Sequence, residues 1–271
     1  MKPRTLGVVA ALVTLPTAAA LIPGRLDAVT RSTRSTRSTR STRSTRSWTQ
    51  QPARQPVGTA AAARLFGVKV LVAADDPSAD RDPARRRRRL GATCTNPGPG
   101  TNAYNLRGTR VNGPTVAHLN PAGAPAGAAS AFQNAFNTWK AADPNAPSIT
   151  VVSDGRATSP QPDGVYELMF APIGRRTLAV TYTWNRNGVF ENDVVFNSNI
   201  SWFLASSEGD GCYEGVAKYD LQNTATHEFG HVYGLDHVSS AYNTMAPTAT
   251  LGETYKRSLA PGDAAAMRAR Y

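Results

Sequence analysis

The sequence contains little histidine and little cysteine, with four and two residues among 271. Three of the four histidines lie in one eleven-residue stretch, so most of the chain has no imidazole to offer a metal or a proton. No apolar run of membrane length follows the first 22 residues, which argues against a later transmembrane helix. The two cysteines, Cys94 and Cys212, fit a secreted chain with one disulfide, and two free thiols are the alternative.

The domain that follows residue 90 also lacks an excess of positive charge. Residues 1–90 hold 18 Lys and Arg against five Asp, whereas Gly91–Tyr271 holds 12 Lys and Arg against 14 acidic residues. The net charge of +11 therefore belongs to the N-terminal part. We expect no specific nucleic-acid partner, because the predicted domain has no basic face.

The N-terminus has the pattern of a secretory signal peptide, which we assign to residues 1–28. Two basic residues precede an apolar run over 6–22 that ends in the small residues Ala18–Ala20. Cleavage is expected after Ala20 or Ala28, and an uncleaved membrane anchor is the alternative interpretation. The pattern predicts a secreted, extracellular protein, with association to the cell wall as a further hypothesis.

Residues 29–90 form a basic segment that we predict to be largely disordered, a pro-segment or linker. An Arg-Ser-Thr repeat over 31–47 has no apolar face and cannot bury a core. It predicts a flexible spacer, with binding to an anionic cell-wall polymer, a membrane or nucleic acid as the alternative. The apolar run Leu65–Ala74 is a strand or a small amphipathic piece. The run Arg85–Arg89 is a solvated charge cluster or a processing site.

The stretch His227–His237 reads HEFGHVYGLDH and carries the spacing of a metal site. Helical residues four apart share one face, about 6 Å apart along the axis, which suits two imidazoles on one Zn²⁺. Gly234 can end the helix in a left-handed conformation, so that His237 returns to the same metal. Three protein ligands leave one position open, as in catalytic rather than structural zinc sites.

Glu228 follows the first histidine and lies at the edge of the same helical face. A carboxylate at this position can take a proton from a water activated by zinc and return it to a leaving group. Met245, in the sequence NTMAP at Asn243–Pro247, is placed where a turn could form the floor under the metal. A chance His-x-x-x-His pair would not bring these additional residues with it.

The segment THEFGHVYGLDH followed by NTMAP resembles the metzincin zinc peptidases, and within them the bacterial matrixin-like branch. The stretches Val116–Trp139 and Arg257–Tyr271 resemble the first strand and helix and the closing helix of such domains, so the resemblance covers about 91–271. It implies one catalytic Zn²⁺ on His227, His231 and His237. It also implies that Glu228 is the catalytic acid and base and Met245 the Met-turn, and that a protein or peptide is the substrate.

This chain departs from the family pattern in several places. Ala246 stands where many matrixins have a tyrosine that walls the substrate pocket, and only His118 remains for a second, structural zinc. No Pro-Arg-Cys-Gly switch is present, although Cys94 as a thiolate on the zinc is an alternative to its pairing with Cys212. Ca²⁺ is a candidate at the acidic loop Glu208–Glu214, with a solvated loop as the alternative.

The order of predicted elements gives the fold class α+β (mixed α/β): a zincin-type domain over 91–271 with a twisted sheet, a zinc-binding active-site helix and a C-terminal helix. Strands are predicted at 115–119, 148–152, 165–170, 177–184 and 193–196, and helices at 128–142, 220–233 and from Pro261. The resemblance implies that an edge strand above the cleft pairs with substrate, and we assign it to Gly188–Asn197.

Two functions follow as expectations, and a nucleic-acid-binding protein, which would rest only on the Arg-Ser-Thr repeat, is a third interpretation. The first is a secreted, monomeric zinc endopeptidase that acts through Glu228. The alternative is a zinc-binding but catalytically silent adhesion or cell-wall-binding protein that uses its basic tail, and the presence of Glu228 argues against it.

Overall fold

A computed structural model describes residues 62–74, 94–95 and 97–271, and these belong to one compact unit, Pro56–Tyr271. The predicted signal peptide, the Arg-Ser-Thr repeat and the arginine run lie outside the described residues. Within the described part of the chain, no helix is long and apolar enough to cross a membrane.

The described residues form a mixed seven-stranded sheet, two short two-stranded sheets and three α-helices, which agrees with the predicted α+β class. The strands are β1 (Arg64–Ala73), β2 (Asn105–Leu106), β3 (Thr115–Leu119), β4 (Ile149–Ser153), β5 (Tyr166–Ala171), β6 (Thr177–Arg186), β7 (Val189–Asn197), β8 (Trp202–Phe203), β9 (Tyr219–Asp220), β10 (Leu235–Asp236) and β11 (Thr248–Ala249). The helices are α1 (Ala128–Ala142), α2 (Leu221–Val232) and α3 (Pro261–Arg270), with a 3₁₀ turn at Tyr255–Arg257.

The large sheet has the strand order β11-β1-β6-β7-β5-β3-β4. Four adjacent strands, in the order β4, β3, β5 and β7, run parallel to one another. Strand β6 is antiparallel to β7, and a tight hairpin joins the two. The hairpin turns at Asn187 and Gly188, both with positive φ, as a type I′ turn requires. Strand β7 is therefore an interior strand between β5 and β6, and the prediction that Gly188–Asn197 is the edge above the cleft is wrong.

The main core lies between the sheet and the helices α1 and α2. Aromatic side chains dominate it: the Phe136 and Phe229 rings stack with centroids 3.7 Å apart, and Phe132 packs on Phe196 at 4.6 Å. Trp139 is fully buried and donates from Nε1 to the carbonyl of Thr226 at 2.6 Å. The helical spacing of the apolar residues of α1 thus places α1 against α2 and fixes the helix that carries the histidines.

Helix α2 begins and ends where the sequence predicts. The Asp220 side chain accepts from the Asn223 amide at 2.8 Å as an N-cap, and the same carboxylate binds the guanidinium of Arg257. At the other end, Gly234 has φ +97, and a Cβ there would lie 2.1 Å from the Thr109 carbonyl oxygen. Only glycine fits this turn, which sends the chain back toward the helix.

Strand β1 comes from within the segment that we predicted to be pro-segment or linker. The apolar run is a strand rather than an amphipathic helix, and it pairs antiparallel with β6 and parallel with β11. The sheet thus extends beyond the predicted domain 91–271. As a result, β6 has a neighbour on both sides.

Candidate metal centre and active-site cleft

Three imidazole nitrogens meet at the end of α2. Nε2 of His237 lies 3.2 Å from Nε2 of His227 and 3.1 Å from Nε2 of His231. Nitrogens bound to one tetrahedral zinc at about 2.0–2.1 Å would lie about 3.3 Å apart. Among the described residues, no other three His, Cys, Asp or Glu side chains bring ligand atoms within 4.8 Å of one another. The three histidines therefore fit a zinc site.

Backbone carbonyls fix the orientation of two of these rings. His227 Nδ1 lies 2.7 Å from the Thr244 carbonyl oxygen, and His231 Nδ1 lies 2.9 Å from that of Leu235. A carbonyl can only accept a hydrogen bond, so each Nδ1 carries the proton and each Nε2 keeps its lone pair for a metal. The sequence predicted the ligands but not these two carbonyl groups.

Burial keeps the trio in the neutral form that binds metals. Desolvation, together with the neighbouring imidazoles, holds the pKa values of His227 and His231 well below their ordinary value. The pKa of His237 is lowered to about 4, chiefly by burial and then by the charge of Lys69. All three rings therefore offer lone pairs at neutral pH.

Glu228 is fully buried beside the trio, and both of its carboxylate oxygens are engaged. Oε2 accepts from the Thr181 hydroxyl at 2.5 Å, and Oε1 accepts from the Leu71 amide at 3.2 Å. Burial raises the pKa of Glu228 to about 8, against the lowering effects of these two hydrogen bonds and of Arg107. A carboxyl group that can hold a proton near neutral pH suits acid and base chemistry.

Met245 is buried and packs against α2 at Gly230, within the histidine motif. A Cβ on Gly230 would lie 2.3 Å from the Met245 sulfur and 2.6 Å from Cζ2 of Trp139, so the helix can approach only because residue 230 is glycine. The Asp263 carboxylate accepts from the Thr244 amide at 2.7 Å and ties the turn to α3. Gly230 and Asp263 were not singled out from the sequence, although Gly230 lies inside the histidine motif.

The region in front of Glu228 lies between β6 on one side and the segment after the Met245 turn on the other. Strand β1 fills the space between them. It pairs with β6 from Arg64 to Val72, its Val72 amide donates to the Pro247 carbonyl at 3.1 Å, and the Ala74 amide donates to that of Ala249 at 2.9 Å. The strand beside Glu228 is therefore β6. The segment predicted to be the substrate-binding edge belongs to β7, which follows β6 after the two hairpin residues Asn187 and Gly188.

The remaining predicted residues lie outside this centre. Cys94 and Cys212 form a disulfide, so neither thiol is available to block a metal. His118 pairs through Nδ1 with Asp154 at 2.7 Å. Glu208 accepts from the Ser258 hydroxyl at 2.9 Å, and the acidic loop, all of which the structure describes, does not bring three carboxylates together within ligand distance. A calcium site there stays a prediction.

Two comparisons with known proteins found similarity to part of this chain. Residues 170–271 match the family model of the matrixin peptidases, Peptidase_M10. A stretch of 73 residues, 27% of this chain, is 37% identical to Stromelysin-3 from Mus musculus, and it covers 13% of that protein. The chain thus spans a small part of the length of this relative. Both similarities agree with the resemblance predicted from the histidine motif.

Proposed function

Residues 170–271 are a matrixin-like metzincin sequence, and from this premise we propose that the protein is a zinc-dependent endopeptidase that hydrolyses bonds within extended peptides. The observation that carries the proposal is the convergence of three Nε2 atoms beside the buried carboxylate of Glu228. Metal ligands alone would serve a structural site equally well. A carboxylate adjacent to a three-ligand centre is what hydrolysis requires in addition.

The proposed roles follow from the position of each side chain. His227, His231 and His237 would hold the metal through Nε2. Zinc bound there supplies Lewis acidity toward water and a peptide carbonyl. Glu228 takes a proton from the attacking water and passes it to the amide nitrogen that leaves. Thr181 holds the Glu228 carboxylate in place through its hydroxyl group.

The extended backbone of the substrate is proposed to lie along β6. A strand that adds to this edge gains main-chain hydrogen bonds whatever its side chains are, which suits an enzyme that acts on peptides. The segment of Pro247–Ala249 offers carbonyls on the opposite side of the cleft, as its bonds to β1 demonstrate.

The test uses the zinc-loaded full chain and its Leu71→Asp variant, in which a charge at the fully buried position 71 is expected to release β1 from β6 and Glu228. Each is incubated with a mixed peptide library, and Glu228→Gln in both backgrounds is the matched control. We expect cleavage by the chains that keep Glu228 and none by the Glu228→Gln chains at equal zinc content. If no chain with Glu228 cuts any peptide while zinc is bound, the catalytically silent binding protein becomes the better interpretation.

We also propose that the protein is secreted and then matured. The support is the charge and apolar pattern of residues 1–28 and the arginine run 85–89, which precedes the matrixin-like part. N-terminal sequencing of exported protein tests both steps. A first residue near position 21 or 29 supports signal cleavage, and one near position 90 supports processing at the arginine run.

A further inference from the structure

The third histidine of the metal centre differs from the other two in how its ring is held. His227 and His231 are fully buried, and each donates from Nδ1 to a backbone carbonyl, at 2.7 and 2.9 Å. His237 is only partly buried, and among the described residues its Nδ1 has no hydrogen-bonding partner. A ligating imidazole is normally oriented by a hydrogen bond from its other ring nitrogen. The position of His237 therefore depends on its backbone.

That backbone belongs to a turn rather than to the helix. Helix α2 has ended before Gly234, whose φ is +97, and His237 lies three residues further on. Within the turn, the His237 amide donates to the side chain of its neighbour Asp236 at 2.7 Å, and the Val238 amide donates to the Met245 carbonyl at 3.1 Å. Carbonyls that follow a helix have no partner inside it, so those of the turn must be bonded from elsewhere.

A short segment from much earlier in the chain supplies these bonds. Strand β2 pairs antiparallel with β10, the strand that directly precedes His237. The Arg107 amide donates to the Gly234 carbonyl at 2.8 Å. Asn105 donates from Nδ2 to the His237 carbonyl at 2.7 Å, and because a carbonyl can only accept, the amide must present its nitrogen here. The turn is thus bonded at both ends by residues 105–107.

The same segment is also tied to the other turn of the metal centre. The Thr101 amide donates to Oδ1 of the fully buried Asn243 at 2.8 Å, and the Asn243 side chain donates back to backbone carbonyls of the segment. Asn243 directly precedes Thr244, whose carbonyl orients His227. Residues 101–107, which we call the brace, therefore contact the turns on both sides of the metal centre.

We propose that Asn105 is a positioning residue for the third metal ligand, and that the brace sets how long a bound zinc ion stays at the centre. The inference rests on the zinc site of the proposed function and extends it to metal retention. Loss of one ligand begins the release of a metal, and His237 is the ligand of the three without an outer hydrogen bond on its ring. Asn105 restrains this ligand through its carbonyl. The brace precedes the matrixin-like residues 170–271, so the family motif does not contain it.

The experiment measures zinc binding by the full chain and by its Asn105→Ala variant. Competition with a chromogenic chelator gives the dissociation constant, and mixing the zinc-loaded chain with excess chelator gives the release rate. We expect the variant to bind zinc about two- to tenfold more weakly, as befits the loss of one hydrogen bond, with most of the change in the release rate. Neither measurement requires activity.

Asn102→Ala is the matched control. Asn102 lies in the same brace and is exposed like Asn105, but its side chain makes no hydrogen bond to any described residue. The control should retain the zinc affinity and the release rate of the parent chain. The visible spectrum of the cobalt-loaded chain, which reports how the ligands are arranged, should change in Asn105→Ala and not in Asn102→Ala. Thermal unfolding of the metal-free chains checks that both variants are folded.

A double-mutant cycle separates positioning from general stabilisation of the fold. His237→Ala removes the third ligand, and zinc then binds more weakly through the remaining two. If Asn105 acts through His237, Asn105→Ala should have no further effect on zinc affinity in this background. The same fold-loss of affinity with and without His237 would contradict the positioning role, because it would mean that Asn105 only stabilises the domain.

The outcomes for this inference and for the proposed function are distinct. Equal zinc affinity and release rate in the parent chain and Asn105→Ala would overturn the inference and leave the endopeptidase function standing. Faster zinc release from Asn105→Ala, in a parent chain that cuts no peptide, would support the positioning role and refute the peptidase function. A parent chain that binds no zinc would overturn both.

Discussion

At the scale of single residues, the metal centre depends on groups that hold the predicted site residues in place. The sequence motif contains the ligands and the carboxylate, but their orientation comes from the carbonyls of Thr244 and Leu235 and the hydroxyl of Thr181. Supporting contacts of this kind tune metal sites as strongly as the ligands themselves. They belong to segments distant in sequence, so no local pattern could reveal them.

The Thr181 hydroxyl is expected to act as a positioning group. Thr181→Val preserves the shape of the side chain but leaves Glu228 Oε2 without its donor, which costs about 1–3 kcal/mol at a buried carboxylate. We expect kcat to fall by roughly tenfold with little change in KM or in zinc content. Steady-state kinetics and metal analysis of the zinc-loaded variant and parent chains check this.

Thr183→Val is the matched control for that substitution. Thr183 lies two residues further along β6, is equally buried, and donates to Asn192 at 2.8 Å rather than to Glu228. The control should lose stability but keep its kcat. Equal losses of kcat in the two variants would show that Thr181 has only a structural role.

Gly230 is expected to set the distance between α2 and the Met245 turn. Gly230→Ala would force a methyl group into the sulfur of Met245 and the ring of Trp139, and such overpacking costs about 1–3 kcal/mol. The turn also carries the Thr244 carbonyl that orients His227, so zinc affinity should fall together with stability. Thermal unfolding and a zinc competition titration measure the two effects.

Gly113→Ala is a suitable comparison, because a Cβ there meets nothing within 4 Å and its φ is not in the left-handed region. Gly113→Ala should change neither the thermal stability nor the zinc affinity by a measurable amount. An unaltered zinc affinity in Gly230→Ala would separate the Met245 turn from the metal centre.

At the scale of elements, the spacing of apolar residues predicted the helices and strands that form within single segments of the chain. Helix α1 spans the predicted residues 128–142, and β3 spans 115–119, because their apolar spacing matches their burial. The same spacing could not show whether β7 is an edge strand or an interior strand of the sheet. Whether a strand is an edge depends on its neighbours, and the neighbour of β6 is a segment more than 100 residues earlier.

Two neighbouring strands of the sheet also bury carboxylates, which predicts a pH dependence of stability. Asp193 on β7 lies opposite Glu167 on β5, and burial raises the pKa of Asp193 to about 8. An unfolded aspartate has a pKa of about 3.9. The native state therefore holds a proton that the unfolded state releases, and stability falls as pH rises from about 4 to about 8.

Asp193→Asn should remove the share of this slope that Asp193 contributes, while Glu228, whose pKa burial also raises to about 8, keeps its own share. The amide oxygen can still accept from the Gln161 amide and the Trp184 indole, which now bond Oδ2 at 3.0 and 2.8 Å. We expect equal stability at pH 4 and a gain of a few kcal/mol, to order of magnitude, at pH 8. Urea unfolding of both proteins across this range measures the difference. Asp210→Asn, on an exposed loop, controls for the loss of one charge, and a wild-type slope in Asp193→Asn would contradict the assignment.

At the scale of the whole molecule, the metal centre is assembled from contributions spread over the chain. The three histidines come from one short motif, Glu228 is held by Thr181 of β6, the Met245 turn is tied to α3, and β1 lies against Glu228. The C-terminal half, which the motif identifies, holds most of this assembly. The resemblance therefore predicted the histidine trio and the neighbouring Glu228, whereas the pairing of β1 with β6 and β11 required the three-dimensional structure.

The disulfide is expected to stabilise this assembly without touching its chemistry. Cys94 and Cys212 are 118 residues apart, and Cys94 lies next to the loop that follows β11, where its amide donates to the Leu251 carbonyl at 3.2 Å. Closing a loop of that length lowers the conformational entropy of the unfolded chain, and this raises the free energy of the unfolded state by about 4–5 kcal/mol at 25 °C. Replacing both cysteines with serine should therefore lower the free energy of unfolding by about 2–5 kcal/mol, measured in urea. Zinc stoichiometry should be unchanged, because neither sulfur lies among the ligands. Loss of zinc from an otherwise folded double variant would mean that the disulfide also holds the segment after the Met245 turn against the metal centre.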